Sequence, residues 1–131
     1  MKQAFLYVED DMLSREIMQI MMESLGHCLV TFEDSTDFLT RLKMLTPQPQ
    51  IILLDIHIPP HDGFELLEMM RNHPMYKTTT IIAVTASVMN EEIERLRTSG
   101  FDGAIGKPLD FDEFPMLLTR LLRGDEVWHI S

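Results

Sequence analysis

Apolar and β-branched residues gather into five short runs along the chain: Phe5 to Val8, Cys28 to Phe32, Ile51 to Leu54, Thr80 to Val84, and the weaker Ala104-Ile105. Each has the length and content of a strand. Between the runs, apolar residues recur at helical spacing: Leu13, Ile17, Ile20, Met21 and Leu25; Phe38, Leu42 and Leu45; Leu66, Leu67 and Met70; Met89, Ile93 and Leu96; Phe114, Leu117, Leu118 and Leu121. The pattern is strand then helix, five times over. Ile51-Ile52-Leu53-Leu54 shows no polar alternation, as expected of a strand covered on both faces by helices. The prediction is therefore an α/β fold, a doubly wound five-stranded parallel sheet with helices on both faces.

Chain breakers agree with this division. Gly26 follows the first helical stretch, Pro47 and Pro49 the second, Pro74 the third and Gly100 the fourth. Pro115 fits if the last helix begins nearer Asp112 than Asp110, because proline is tolerated in a first helical turn and not deeper. One domain over residues 1–124 is expected, with a C-terminal tail at 125–131 too short for an output domain.

Composition narrows the functional classes. The 131 residues are 45% hydrophobic, enough for one core. Acidic residues outnumber basic ones by 21 to 11, for a net charge of −10, so the long-range field repels nucleic-acid phosphates and anionic lipid. Neither nucleic acid nor membrane is expected as a direct partner. The single cysteine, Cys28, excludes an intrachain disulfide framework and reads as a structural thiol. Met1-Lys2 leads almost directly into the first strand, with no signal-peptide pattern and no apolar run of membrane length, so the cytoplasm is the expected compartment. The eleven methionines are expected mostly at helical core positions, where a flexible thioether fills gaps.

In an open parallel sheet, ligands bind beyond the carboxyl ends of the strands. There the chain carries Glu9-Asp10-Asp11, Asp55, Thr85-Ala86-Ser87 and Lys107-Pro108. Singly, each has a plain explanation as a cap, a turn or a solvated charge. Jointly they do not, because carboxylates brought within about 4 Å repel by several kcal/mol per pair at an intermediate effective dielectric. A cation belongs between them. Hard oxygen donors with room for water and phosphate oxygens suit Mg²⁺, and Lys107 supplies a second positive charge. The Thr85 hydroxyl and the backbone N–H groups that follow, beginning with Ala86, can hydrogen-bond a phosphoryl oxygen. Asp55 is then the natural nucleophile.

These motifs, in this order, closely resemble the response-regulator receiver family. The resemblance runs from Leu6-Tyr7-Val8-Glu9-Asp10, through Leu53-Leu54-Asp55-Ile56-His57-Ile58-Pro59-Pro60-His61-Asp62-Gly63 and Ala83-Val84-Thr85-Ala86, to Gly103-Ala104-Ile105-Gly106-Lys107-Pro108 and the last helix. It implies a flavodoxin-like sheet of order 2-1-3-4-5 and a cis peptide before Pro108. It further implies that Asp55 takes a phosphoryl group from a phosphohistidine of a sensor histidine kinase or histidine phosphotransferase. Mg²⁺ would be held by Asp10, Asp55 and the backbone carbonyl of His57, with Glu9 ligating directly or through water, and Lys107 would pair with the phosphate. Such a chain is a signalling phosphoacceptor in a two-component or phosphorelay pathway, assisting its own phosphotransfer and dephosphorylation, and passes its message to a downstream protein partner. The expected docking face is built from the last two helices and the fifth strand. One position departs from the family: Ala104 stands where many members carry Tyr or Phe, so the usual ring is not there to fill space vacated by a moving Thr85.

Other readings are weaker. His57 and His61 are four residues apart, but Pro59-Pro60 between them precludes the helix that such a zinc pair needs. Gly106-Lys107 lacks both the earlier glycine and the following Ser or Thr of a P-loop. An aspartate-nucleophile phosphatase would carry a second aspartate where His57 stands, and its general acid would be missing. A protein-binding module of the same fold that is never phosphorylated is the strongest rival. The full set of acidic pair, acceptor, hydroxyl and lysine argues against it.

Overall fold

A computed structural model describes residues 3–86 and 89–129, which leaves Met1, Lys2, Ser87, Val88, Ile130 and Ser131 outside the described residues. The elements follow as β1 (Ala4–Val8), α1 (Met12–Ser24), β2 (Cys28–Phe32), α2 (Phe38–Lys43), β3 (Ile51–Asp55), α3 (Gly63–Arg71), β4 (Thr80–Thr85), α4 (Asn90–Ser99), β5 (Gly103–Gly106), α5 (Phe114–Leu122) and β6 (Val127–His129). All strand pairs are parallel, in the order β2-β1-β3-β4-β5-β6.

The expected order 2-1-3-4-5 is present, and a sixth strand extends it beyond β5. The segment expected as a tail carries a strand, because Val127 to His129 pair in register with Gly103 to Ile105. Two local features permit this sixth strand. Gly124, at φ +90°, turns the chain back after α5 in a conformation that favours glycine. Gly103 has no Cβ, and one placed there would overlap the Val127 carbonyl.

Strand alternation divides the core in two. Leu6, Val8, Ile52, Leu54, Ile81, Ala83 and Ala104 pack under α2, α3 and α4, while Phe5, Tyr7, Ile51, Leu53, Ile82, Val84 and Ile105 pack under α1 and α5. Ile52, Leu53 and Leu54 are wholly inaccessible to solvent, which explains the missing polar alternation. Helix α5 starts at Phe114 with Pro115 in its first turn, as its sequence requires.

Two expectations about side chains need correction. Met18, Met21, Met22 and Met70 are buried, but Met12, Met44, Met75, Met89 and Met116 are exposed, so methionine here is as much a surface residue as a core one. Leu13 and Ile20 also face solvent. Helix α4 buries only Leu96 fully; Met89 lies outside it as an exposed cap residue. Helical spacing locates an apolar stripe, but a helix crossing a narrow strip of sheet covers only part of that stripe.

The chain order changes direction between β1 and β3, so the carboxyl ends of these two strands flank the switch point of the sheet. Leu54 carries the core up to that point. Leu54→Ala is expected to lower stability by about 2–5 kcal/mol, the range for a buried leucine truncation that leaves a cavity. A fall in the urea midpoint at unchanged slope checks it.

Candidate functional site

The site grows from strand ends. Glu9 follows β1 directly and is fully buried, whereas Asp10 beside it is exposed. Asp11 caps α1, its Oδ2 accepting the Ser14 N–H at 2.8 Å and the Ser14 hydroxyl at 2.7 Å. The adjacent acidic residues thus divide the work: Glu9 points inward, Asp10 stands at the mouth and Asp11 starts the helix. Asp55 ends β3 and retains only 6% exposure.

Lys107 joins the two buried carboxylates. Its Nζ lies 2.6 Å from Glu9 Oε1 and 3.0 Å from Asp55 Oδ2. The Lys107-Pro108 peptide is cis, and the Lys107 N–H donates to the Thr85 carbonyl at 2.8 Å, tying the β5–α5 loop to the end of β4. Thr85 is buried and Ala86 exposed, both on the same edge of the sheet; Ser87 lies outside the described residues. The His57 N–H donates to Asp55 Oδ1 at 3.0 Å, so each Asp55 oxygen has a donor, while the His57 ring is solvent-facing.

Three supports escape the sequence reading. Tyr7, inside the apolar core, donates its hydroxyl to Glu9 Oε1 at 2.9 Å. Its signal was its place two residues before Glu9 in a strand, where side chains share a face. Arg15 reaches back from α1 to the Glu9 carbonyl at 2.9 Å. Ser35, fully buried, donates to the His61 carbonyl at 2.7 Å and accepts the His61 N–H at 2.8 Å, fixing the loop after Asp55.

Electrostatics follow from this packing. Desolvation and the contact with Glu9 push the Asp55 carboxyl up to about 6. Burial would also raise Glu9, but hydrogen bonds with Asp55, Lys107, Tyr7 and the Asp11 N–H outweigh it and pull Glu9 down to about 2. Desolvation, then Glu9, raises Asp10. Burial alone would lower Lys107, yet its two carboxylate partners hold it above the ordinary lysine range. The Tyr7 phenol is raised by burial first and by Glu9 second, and therefore stays a donor.

One lysine does not neutralise three carboxylates. Oxygens of Glu9, Asp10 and Asp55 lie within 4.8 Å of one another, an all-oxygen donor set open on the Asp10 side. That chemistry fits a hard divalent cation that keeps part of its water.

Comparison with known proteins accords with the geometry. The response regulator receiver domain family matches residues 5–119. The chain belongs to this family. Sensor histidine kinase AruS of Pseudomonas aeruginosa is 36% identical over 110 residues, covering 82% of this receiver and 11% of the kinase. The chain thus spans about a ninth of that relative. The polar-differentiation response regulator DivK of Brucella anthropi is 26% identical over 114 residues, covering 87% of this receiver and 91% of DivK. The receiver domain of sensor histidine kinase PA1611 from Pseudomonas aeruginosa, solved with a magnesium ion coordinated in its active site cleft, superposes with a TM-score of 0.80 at 24% identity, over 92% of this chain and 97% of that one.

The raised Asp55 pKa gives a signed pH dependence. Its folded-state value of about 6 exceeds the ordinary 3.8, so its contribution to stability is full below about pH 4 and is lost as pH rises through about 6. Asp55→Asn is accordingly expected to raise the melting temperature of the metal-free protein near neutral pH. Millimolar Mg²⁺ is expected to stabilise the unaltered chain more at about pH 8 than at about pH 5, because protons compete with the cation. Thermal melts at the two pH values, with and without Mg²⁺, check both.

Proposed function

We propose that this receiver is a phosphoacceptor in a two-component or phosphorelay pathway. The observation that carries the reading is the Lys107 ammonium held between Glu9 and Asp55 at the switch point of the sheet. Asp55 is the nucleophile: a carboxylate oxygen forms a bond to phosphorus as the bond to the donor histidine nitrogen breaks, giving an acyl phosphate and, from a donor ring protonated on its other nitrogen, a neutral imidazole. With a carboxyl near 6, Asp55 is largely ionised at neutral pH. Its oxygens are oriented by Lys107 and the His57 N–H, so little rearrangement precedes attack.

Glu9, Asp10, Asp55 and the His57 carbonyl would hold Mg²⁺, which when bound neutralises charge on the transferring phosphoryl group. Lys107 exchanges part of its contact with Asp55 for a phosphoryl oxygen. The Thr85 hydroxyl and the Ala86 N–H serve the remaining oxygens. The same groups assist the hydrolysis that resets the switch; the chain is a signalling protein rather than an enzyme acting on separate substrates.

The phosphodonor is a histidine kinase or histidine phosphotransferase. Exposed Leu13 on α1 and Phe111 in the β5–α5 loop offer apolar contact beside Lys107, where a helix carrying the phosphohistidine would rest. A downstream protein reads the phosphorylated surface. Net charge −10 disfavours nucleic acid as that partner, and among the described residues no helix is long and apolar enough to cross a membrane. The cytoplasm, where histidine kinases present their phosphoryl groups, is the proposed compartment.

Acetyl phosphate with Mg²⁺ tests the chemistry without a protein donor. Intact mass is expected to show one phosphoryl adduct, absent when Mg²⁺ is chelated and absent in Asp55→Asn. Lys107→Met is expected to slow adduct formation by about a hundredfold, the usual loss when one charge-stabilising group is removed. A folded protein that forms no adduct even after rapid quenching would instead be a binding module of the same fold.

A further inference from the structure

β6 lies beyond the family's matched residues, which end at 119, and the described structure gives it a specific attachment. A single cross-sheet row on the α2–α3–α4 side runs Phe32, Val8, Leu54, Ala83, Ala104, Trp128. Residues 83 and 104 are alanines, both fully buried, and Trp128 packs against that cluster from the next strand. The Arg97 guanidinium of α4 sits over the Trp128 ring, 4.6 Å from its centre. His129 Nε2 lies 2.6 Å from Glu113 Oε2, just ahead of α5.

Helix α4 is tied at its other end to the phosphoacceptor loop. Glu92 Oε1, shielded from solvent and without a hydrogen-bond partner among the described residues, lies 3.5 Å from His57 Nε2, two residues after Asp55. Glu91 and Glu92 both stand in the first turn of α4. The helix is weakly anchored, since only Leu96 of its residues is fully buried against four buried residues each in α3 and α5.

We propose that β6 is a phosphorylation-responsive edge strand, read out through α4. The inference rests on Asp55 being the phosphoacceptor. A phosphoryl group there adds negative charge two residues from His57, whose ring faces Glu92 in the first turn of α4. It competes with Glu92 for His57 and repels α4's first turn. Displacement of so lightly held a helix withdraws Arg97 from Trp128, loosens the ring and releases three residues of strand from the β5 edge. The unpaired β5 edge is then open to a partner strand.

Trp128 is the sole tryptophan, so its emission reports on β6 directly. The experiment uses the full chain with acetyl phosphate and Mg²⁺, monitored in parallel by intact mass, Trp emission and acrylamide quenching, with Asp55→Asn as control. With a phosphoryl adduct, emission is expected to shift to longer wavelength and quenching to rise; Asp55→Asn shows neither. Arg97→Gln is expected to produce the shifted emission without phosphorylation and to lose most of the further change. Gly103→Ala, verified as folded by circular dichroism, is expected to do the same by displacing Val127. A stoichiometric adduct with unchanged emission and quenching overturns the proposal and leaves the phosphoacceptor reading intact. Absence of any adduct overturns that reading, and the coupling with it.

Discussion

The placement of one ammonium group between two buried carboxylates organises this molecule. Lys107 is 98 residues from Glu9 and 52 from Asp55 along the chain, and all three meet only when β1, β3 and β5 lie in one parallel sheet. Buried, Glu9 and Asp55 would repel each other without a cation. The lysine relieves this unequally: hydrogen bonds draw Glu9 down to about 2, while burial and Glu9 push Asp55 up to about 6. A site left short of positive charge is suited to receive a divalent cation and then a phosphoryl group.

The surrounding structure serves that placement. Fully buried β3 delivers Asp55 at a fixed depth, Tyr7 and Arg15 hold Glu9, and Ser35 fastens the loop whose His57 N–H orients the Asp55 carboxylate. The Thr85 carbonyl fixes the base of the lysine's loop. None of these supports reacts. Each removes a freedom that the charged side chains would otherwise use to separate.

Much of this was legible in the sequence because the physics is local there. A doubly covered strand must be apolar throughout, so Ile51 to Leu54 announced β3, and a charged residue following such a strand can only lie at its rim. What was not legible depended on non-local fit. β6 is three residues long with no alternation to read, and it pairs with β5 where Gly103, lacking a Cβ, lets the Val127 backbone close in. Exposed Leu13, Ile20 and five exposed methionines kept helical spacing without reaching the core. The split roles of Glu9, Asp10 and Asp11 were hidden for the same reason, since adjacent carboxylates look alike until the helix start is placed.

The most direct test of the central claim is chemical location of the phosphoryl group. After reaction with acetyl phosphate and Mg²⁺, borohydride reduction converts an acyl phosphate on aspartate to homoserine, and peptide mass spectrometry then reads its position. Homoserine is expected at residue 55 and at no other aspartate. Homoserine at Asp10 or elsewhere, or a phosphoryl group that resists reduction and remains on a hydroxyl or imidazole, would contradict it.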